Sequence, residues 1–84
     1  MEYKYSLGDR ILGIENTQPE ETEDITEDII GKKGTIIGRM SGVEEHIYVA
    51  TFDEEINNYN CLYYGAKQNR TTFLYEHQFV KIDD

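Results

Sequence analysis

The chain has 84 residues, room for one small core and no second domain. Its formal charge is −9, from 17 acids against 8 bases, which excludes a broad grip on a nucleic-acid backbone, because such binding displaces counterions with Lys and Arg. The single cysteine, Cys61, excludes an internal disulfide, and no apolar run reaches the length of a membrane span.

Seven tyrosines and three phenylalanines against one proline favour an all-β domain over residues 1–84. In residues 1–7, Tyr3 and Tyr5 alternate with Lys4, as in a short lead-in strand or an arm laid over the sheet. Gly8-Asp9 marks a turn, and residues 10–14 read as a first strand. An acidic insertion follows over residues 15–30. It holds Glu20, Glu21, Glu23, Asp24, Glu27 and Asp28, no base, and the lone Pro19. A short helix over 19–30 is consistent with Pro19 in its first turn, acids at its positive dipole end and Gly31 just past its end. Ile25 and Ile29, four apart, would form its apolar side.

The clearest signal is a central hairpin over 34–52. Residues 34–40 and 46–52 are rich in β-branched and aromatic residues and flank a loop that contains Gly42. In the first strand, Thr35, Ile37 and Arg39 are expected on one face, with Ile36, Gly38 and Met40 on the other. In the second, Tyr48, Ala50 and Phe52 share a face, with Ile47, Val49 and Thr51 opposite. Gly34 and Gly38 supply the bending points a small curved sheet needs. Residues 53–60 read as a loop, 61–64 as a brief strand ended by Gly65, 66–69 as a turn and 70–75 as another strand. A single tight helical turn is expected at 76–79, with a last strand at 80–82.

Strand, long loop, hairpin, strand, tight turn and short final strand is the layout of SH3-like barrels, and the wording resembles that superfamily. Gly8-Asp9-Arg10-Ile11 resembles its opening strand, and Gly31-Lys32-Lys33-Gly34-Thr35-Ile36-Ile37 resembles the glycine-centred strand of KOW and CAP-Gly domains. Tyr48-Val49-Ala50-Thr51-Phe52-Asp53 is similar to the strand that follows in these and in Mind bomb type repeats. The stretch from Leu74 to Ile82 resembles their closing turn and strand. The resemblance covers most of residues 8–83 and implies a small barrel of about five strands, as in many small bacteriophage and bacterial proteins. CAP-Gly domains capture carboxylate tails with a Gly-Lys-Asn-Asp-Gly loop, and the corresponding place here reads Glu55-Ile56-Asn57-Asn58-Tyr59.

Nothing converges as catalysis requires. His46, His77 and Cys61 are three scattered candidates for a base or nucleophile, too few for a structural zinc site. Asp53, Glu54, Glu55, Asn57 and Asn58 offer oxygen ligands without calcium-loop spacing. No catalytic residue, metal or cofactor is therefore expected. Binding remains, through the acids of 20–28 and through Tyr59, Tyr63, Tyr64 and Tyr75, the aromatics expected at the groove of such a barrel. The leading expectation is a non-enzymatic acidic module that docks on a basic, nucleic-acid-handling protein as an inhibitor or modulator, its carboxylates standing in for phosphates. By the phage-like resemblance, the target would belong to host or defence machinery. The alternative is direct binding of nucleic acid by Lys32, Lys33, Arg39, Lys67 and Arg70, with tyrosines stacking on bases. Residues 1–6 carry no apolar leader, which points to an intracellular, cytoplasmic protein.

Overall fold

The computed structural model describes residues 2–15, 29–42, 44–56, 65 and 69–83. Strands β1 (Arg10–Gly13), β2 (Lys33–Met40), β3 (Ile47–Phe52) and β4 (Thr71–Tyr75) precede a 3-10 turn at Glu76–Gln78, and β5 (Phe79–Lys81) follows it. They build one antiparallel sheet in the order β4-β3-β2-β1-β5. The two outermost strands are thus consecutive in sequence, joined only by the 3-10 turn. Among the described residues no ladder pairs β4 with β5. No helix there is long and apolar enough to cross a membrane.

One face of the sheet makes the core. Ile11, Ile36, Tyr48, Ala50, Phe52, Leu74 and Phe79 are all buried there. Each large side chain so buried stabilises the fold by about 1.5–3 kcal/mol before entropy is counted. Ile29 joins them from the segment before β2, and Ile56 from the loop after β3. Ile56 is tethered by its amide, which donates to the carbonyl of Asn69 at 2.8 Å. Asn69 itself holds φ 63, the left-handed turn conformation for which asparagine is suited.

Residues 2–9 form no strand. They run as an arm that buries Tyr5 in the core and packs Tyr3 against it. The helix expected at 19–30 lies outside the described residues except for its last two. Those two are not helical: Ile29 is fully buried, and Ile30 forms a parallel bridge with Gly13. Gly31, at φ 79, turns the chain into β2, with the Lys32 amide bonded to the Ile29 carbonyl at 3.0 Å. The brief strand expected at 61–64 also falls outside the described residues.

The face assignment of β2 needs correction. Ile36 lies opposite Ala50 on the core face, yet Gly38 lies opposite Val49 on the outer one. A bulge between Ile36 and Gly38 absorbs one residue, and a one-residue slip in a period of two moves every later side chain across the sheet. Beyond it, Met40 stands opposite Ile47 on the outer face, and Arg39 stands opposite Tyr48. Ile36, Gly38 and Met40 therefore do not share a face. The hairpin strands themselves, the bend near Gly38 and the grouping of Tyr48, Ala50 and Phe52 are as the pattern suggested. The outer face is not plainly polar either, since Val49 and Thr71 are buried on it.

Candidate functional site

Tyr48 ties the N-terminal arm to the sheet. Its ring is edge-on to Tyr3, Tyr5 and Phe79, with centroids 6.0, 5.5 and 5.4 Å away. Its hydroxyl donates to Glu76 Oε2 at 2.5 Å and accepts from the amides of Lys4 and Tyr5 at 3.0 and 3.3 Å. Burial first, and the bond to the Glu76 carboxylate second, push the phenol up to about 12. The group stays protonated at neutral pH and serves as a clasp.

The two histidines are held in different places. His46 is buried before β3, its ring tilted against Tyr3 with centroids 4.2 Å apart, and its Nε2–H donates to the Glu2 carbonyl at 3.1 Å. His77, in the 3-10 turn, is exposed. Its Nδ1–H donates to Glu45 Oε1 at 2.7 Å, and Nε2 lies 3.4 Å from Glu15 Oε2. No group of three or more His, Cys, Asp or Glu side chains suited to a metal ion occurs among the described residues.

The bases form the next feature. All but Lys67 lie among the described residues, and each is engaged by its own fold. Arg10 grips Asp53 with both ends of its fork, at 2.8 and 2.5 Å, and also donates to Thr35 Oγ1 at 2.9 Å. That pairing holds the Asp53 carboxyl below the usual range, and the charges of Lys33 and Arg70 act in the same direction. Arg70 donates to the Asp53 carbonyl at 2.6 Å. Lys32 donates to the Glu55 carbonyl at 3.1 Å, and Lys81 is 3.8 Å from Asp9. Lys4 lies over the Tyr5 ring. Arg39 lies over the Tyr3 ring at 4.6 Å and donates to the Tyr5 carbonyl.

The basic patch expected for nucleic acid is thereby divided. Lys33 and Arg70 meet around Asp53, at the end of the β2–β3 pair where Lys32 reaches Glu55. Arg39 sits on the N-terminal arm instead, next to the hairpin loop. Arg10, which the sequence reading did not include, is the centre of the first group. Its partner Asp53 is 43 positions away, and no local pattern announces such a pair.

Of the residues expected to meet a protein partner, Tyr75 alone is described. Glu20, Glu21, Glu23, Asp24, Glu27, Asp28, Tyr59, Tyr63 and Tyr64 lie outside the described residues, as do Cys61 and Lys67. Tyr75 ends β4 as a residue 46% exposed, and its ring stacks on His77, centroids 5.9 Å apart and planes 13° apart. The Tyr75 amide donates to Gln78 Oε1 at 2.8 Å, which fixes where the strand stops and the 3-10 turn begins. On its other side Tyr75 borders a shallow recess of about 190 Å³ lined by Met40, Ile47, Phe73 and Leu74. The structure thus brings together an exposed tyrosine, an apolar recess and the Glu15–His77–Glu45 bridge. Of these partners only His77 figured among the candidates read from the sequence.

No family model, curated protein or solved structure matches this chain.

Proposed function

We propose that this protein is a non-enzymatic binding module that presents acidic surface to a basic protein, one that itself handles nucleic acid, and so inhibits or modulates it. The observation that carries the reading is the engagement of the described lysines and arginines by the protein's own carboxylates, carbonyls and rings. With 17 acids against 8 bases, the chain carries a strong excess of carboxylate, and its described cations are already in contact with its own groups. A cationic partner gains from such a surface in encounter rate and in specificity, whereas a phosphate backbone is repelled. The strand order and the 3-10 turn before the last strand support placing the chain among SH3-like domains, which commonly bind other proteins. A host or defence target, suggested by the phage-like resemblance, and a cytoplasmic setting belong to the same proposal.

Fluorescence anisotropy with labelled probes tests the reading. A lysine- and arginine-rich peptide should bind, with affinity that falls steeply as salt rises. Single- and double-stranded oligonucleotides should not bind at micromolar protein near physiological salt. Binding of the oligonucleotides and indifference to the peptide would sink the proposal.

A further inference from the structure

The outer face of the sheet carries an apolar surface that the binding reading above leaves without an assigned role. Past the bulge, Met40 and Ile47 stand opposite each other, and Phe73 and Tyr75 continue the same face on β4. None of the four is fully buried, and together with Leu74 they line the 190 Å³ recess. That volume is below the roughly 300–1,000 Å³ typical of small-molecule and cofactor pockets. It suits one apolar side chain, in the manner of an anchor at the centre of a protein interface.

The surroundings of the recess specify what accompanies the anchor. Glu44 and Glu45 lie just before Ile47 in the sequence. The Tyr75 ring stacks on His77, which in turn holds Glu45 and Glu15. The base that alternation alone would have put on this face, Arg39, is across the sheet on Tyr3. The Tyr75 side of the recess therefore carries two carboxylates, Glu45 and Glu15, gathered on His77. A second copy of this chain, carrying −9 itself, would bring acid against acid.

We propose that this recess is the docking seat for a short segment of a basic protein, with one large apolar side chain set between lysines or arginines. The apolar side chain enters between Met40, Ile47, Phe73 and Tyr75, and the flanking cations face Glu45 and Glu15, which His77 holds beside Tyr75. This rests on the basic-partner reading and adds the recognition element that distinguishes one basic segment from another.

Labelled peptides with one phenylalanine flanked on each side by two lysines or arginines test the seat. In the full chain, titration should move the backbone amide signals of Met40, Ile47, Phe73 and Tyr75. Replacing the peptide's phenylalanine by alanine should weaken binding about tenfold or more, as loss of an interface anchor does. Tyr75→Ala should do the same, and its exposed position makes an intact fold checkable by circular dichroism. Met40→Gln provides a second variant, and the amide mapping on the unaltered chain depends on neither. Salt-sensitive binding that ignores the phenylalanine would remove the seat and leave the acidic-module reading standing. Failure of every basic peptide to bind would remove both. A dimer in sedimentation that Tyr75→Ala dissolves would make a second copy the occupant and overturn the proposal.

Discussion

Tyr48→Phe isolates the contribution of a single hydroxyl. The ring is fully buried, and phenylalanine keeps its edge contacts with Tyr3, Tyr5 and Phe79, so no cavity arises. What disappears is the donor to Glu76 and the shared acceptor for the Lys4 and Tyr5 amides. Glu76 and the Lys4 amide are partly exposed and can turn to water. The Tyr5 amide is buried and cannot. A buried donor left without a partner costs about 1–3 kcal/mol, and a bond to a charged group contributes about 1.5–3 kcal/mol. With water recovering part of the second, the substitution should destabilise by about 2–3 kcal/mol. For a domain of this size, each kcal/mol lowers the melting temperature by about 4–8 °C, so a drop of about 10 °C or more is expected. Urea unfolding followed by far-ultraviolet circular dichroism measures it directly, and hydrogen exchange at Lys4 and Tyr5 should accelerate. The pH dependence gives an independent check. Tyr48 is raised to about 12 in the folded chain against about 10 when unfolded. The folded state thus holds that proton more tightly, and its contribution is complete below pH 10 and lost as pH rises from about 10 to about 12. Phenylalanine at 48 removes that part of the alkaline loss. A change under about 0.5 kcal/mol, or identical alkaline curves, would refute the clasp.

Asp53→Asn should flatten the acid limb of the stability curve. A carboxyl lowered by Arg10 stabilises the fold above its unfolded value, and the benefit is lost as pH falls through the folded one; urea midpoints between neutral pH and the acid transition measure the slope. Gly13→Ala should be severe, because an added Cβ would overlap the Ile29 carbonyl that packs there. Failure to recover folded protein, or a loss of more than about 3 kcal/mol, is the expected result. Gly34→Ala should be milder, about 1–3 kcal/mol, since its Cβ meets the Thr51 carbonyl at 2.9 Å and Phe52 Cδ1 at 3.1 Å. Ile36→Ala removes a fully buried side chain from the centre of the sheet and should cost about 2–5 kcal/mol by the same unfolding assay.

Much of the architecture was legible because its signals are local. The β-branched runs around Gly42, the turn at Gly8-Asp9 and the 76–79 segment each carry their own composition, and each became an element within a residue or so of its expected place. What could not be read depends on residues far apart in sequence. Arg10 and Asp53 look like two ordinary surface charges until β1, β2 and β3 are laid side by side. Tyr48 reads as one more inward aromatic, and nothing near it says that its hydroxyl receives two amides from 43 and 44 positions away. Tyr75 was identifiable from its type and position at the end of a strand. Its neighbour Met40 was not, because strict alternation grouped Met40 with Ile36, which faces the core.

That misplacement bears directly on the proposed seat. Without the bulge, the period of two would turn Met40 inward and Arg39 outward, leaving a cation beside Ile47 on the open face. A basic segment approaching that face would meet a like charge where the seat now offers a thioether, and desolvating Arg39 to admit an apolar anchor would cost more than the anchor returns. The extra residue at Ile37 instead sends the guanidinium over Tyr3, where the ring and the Tyr5 carbonyl receive it, and places Met40 opposite Ile47 on the recess. One inserted residue in β2 thus changes both the polarity and the charge of the surface proposed for docking. Gly38, opposite Val49 at the edge of the bulge, is the residue type that such an irregularity in a strand favours.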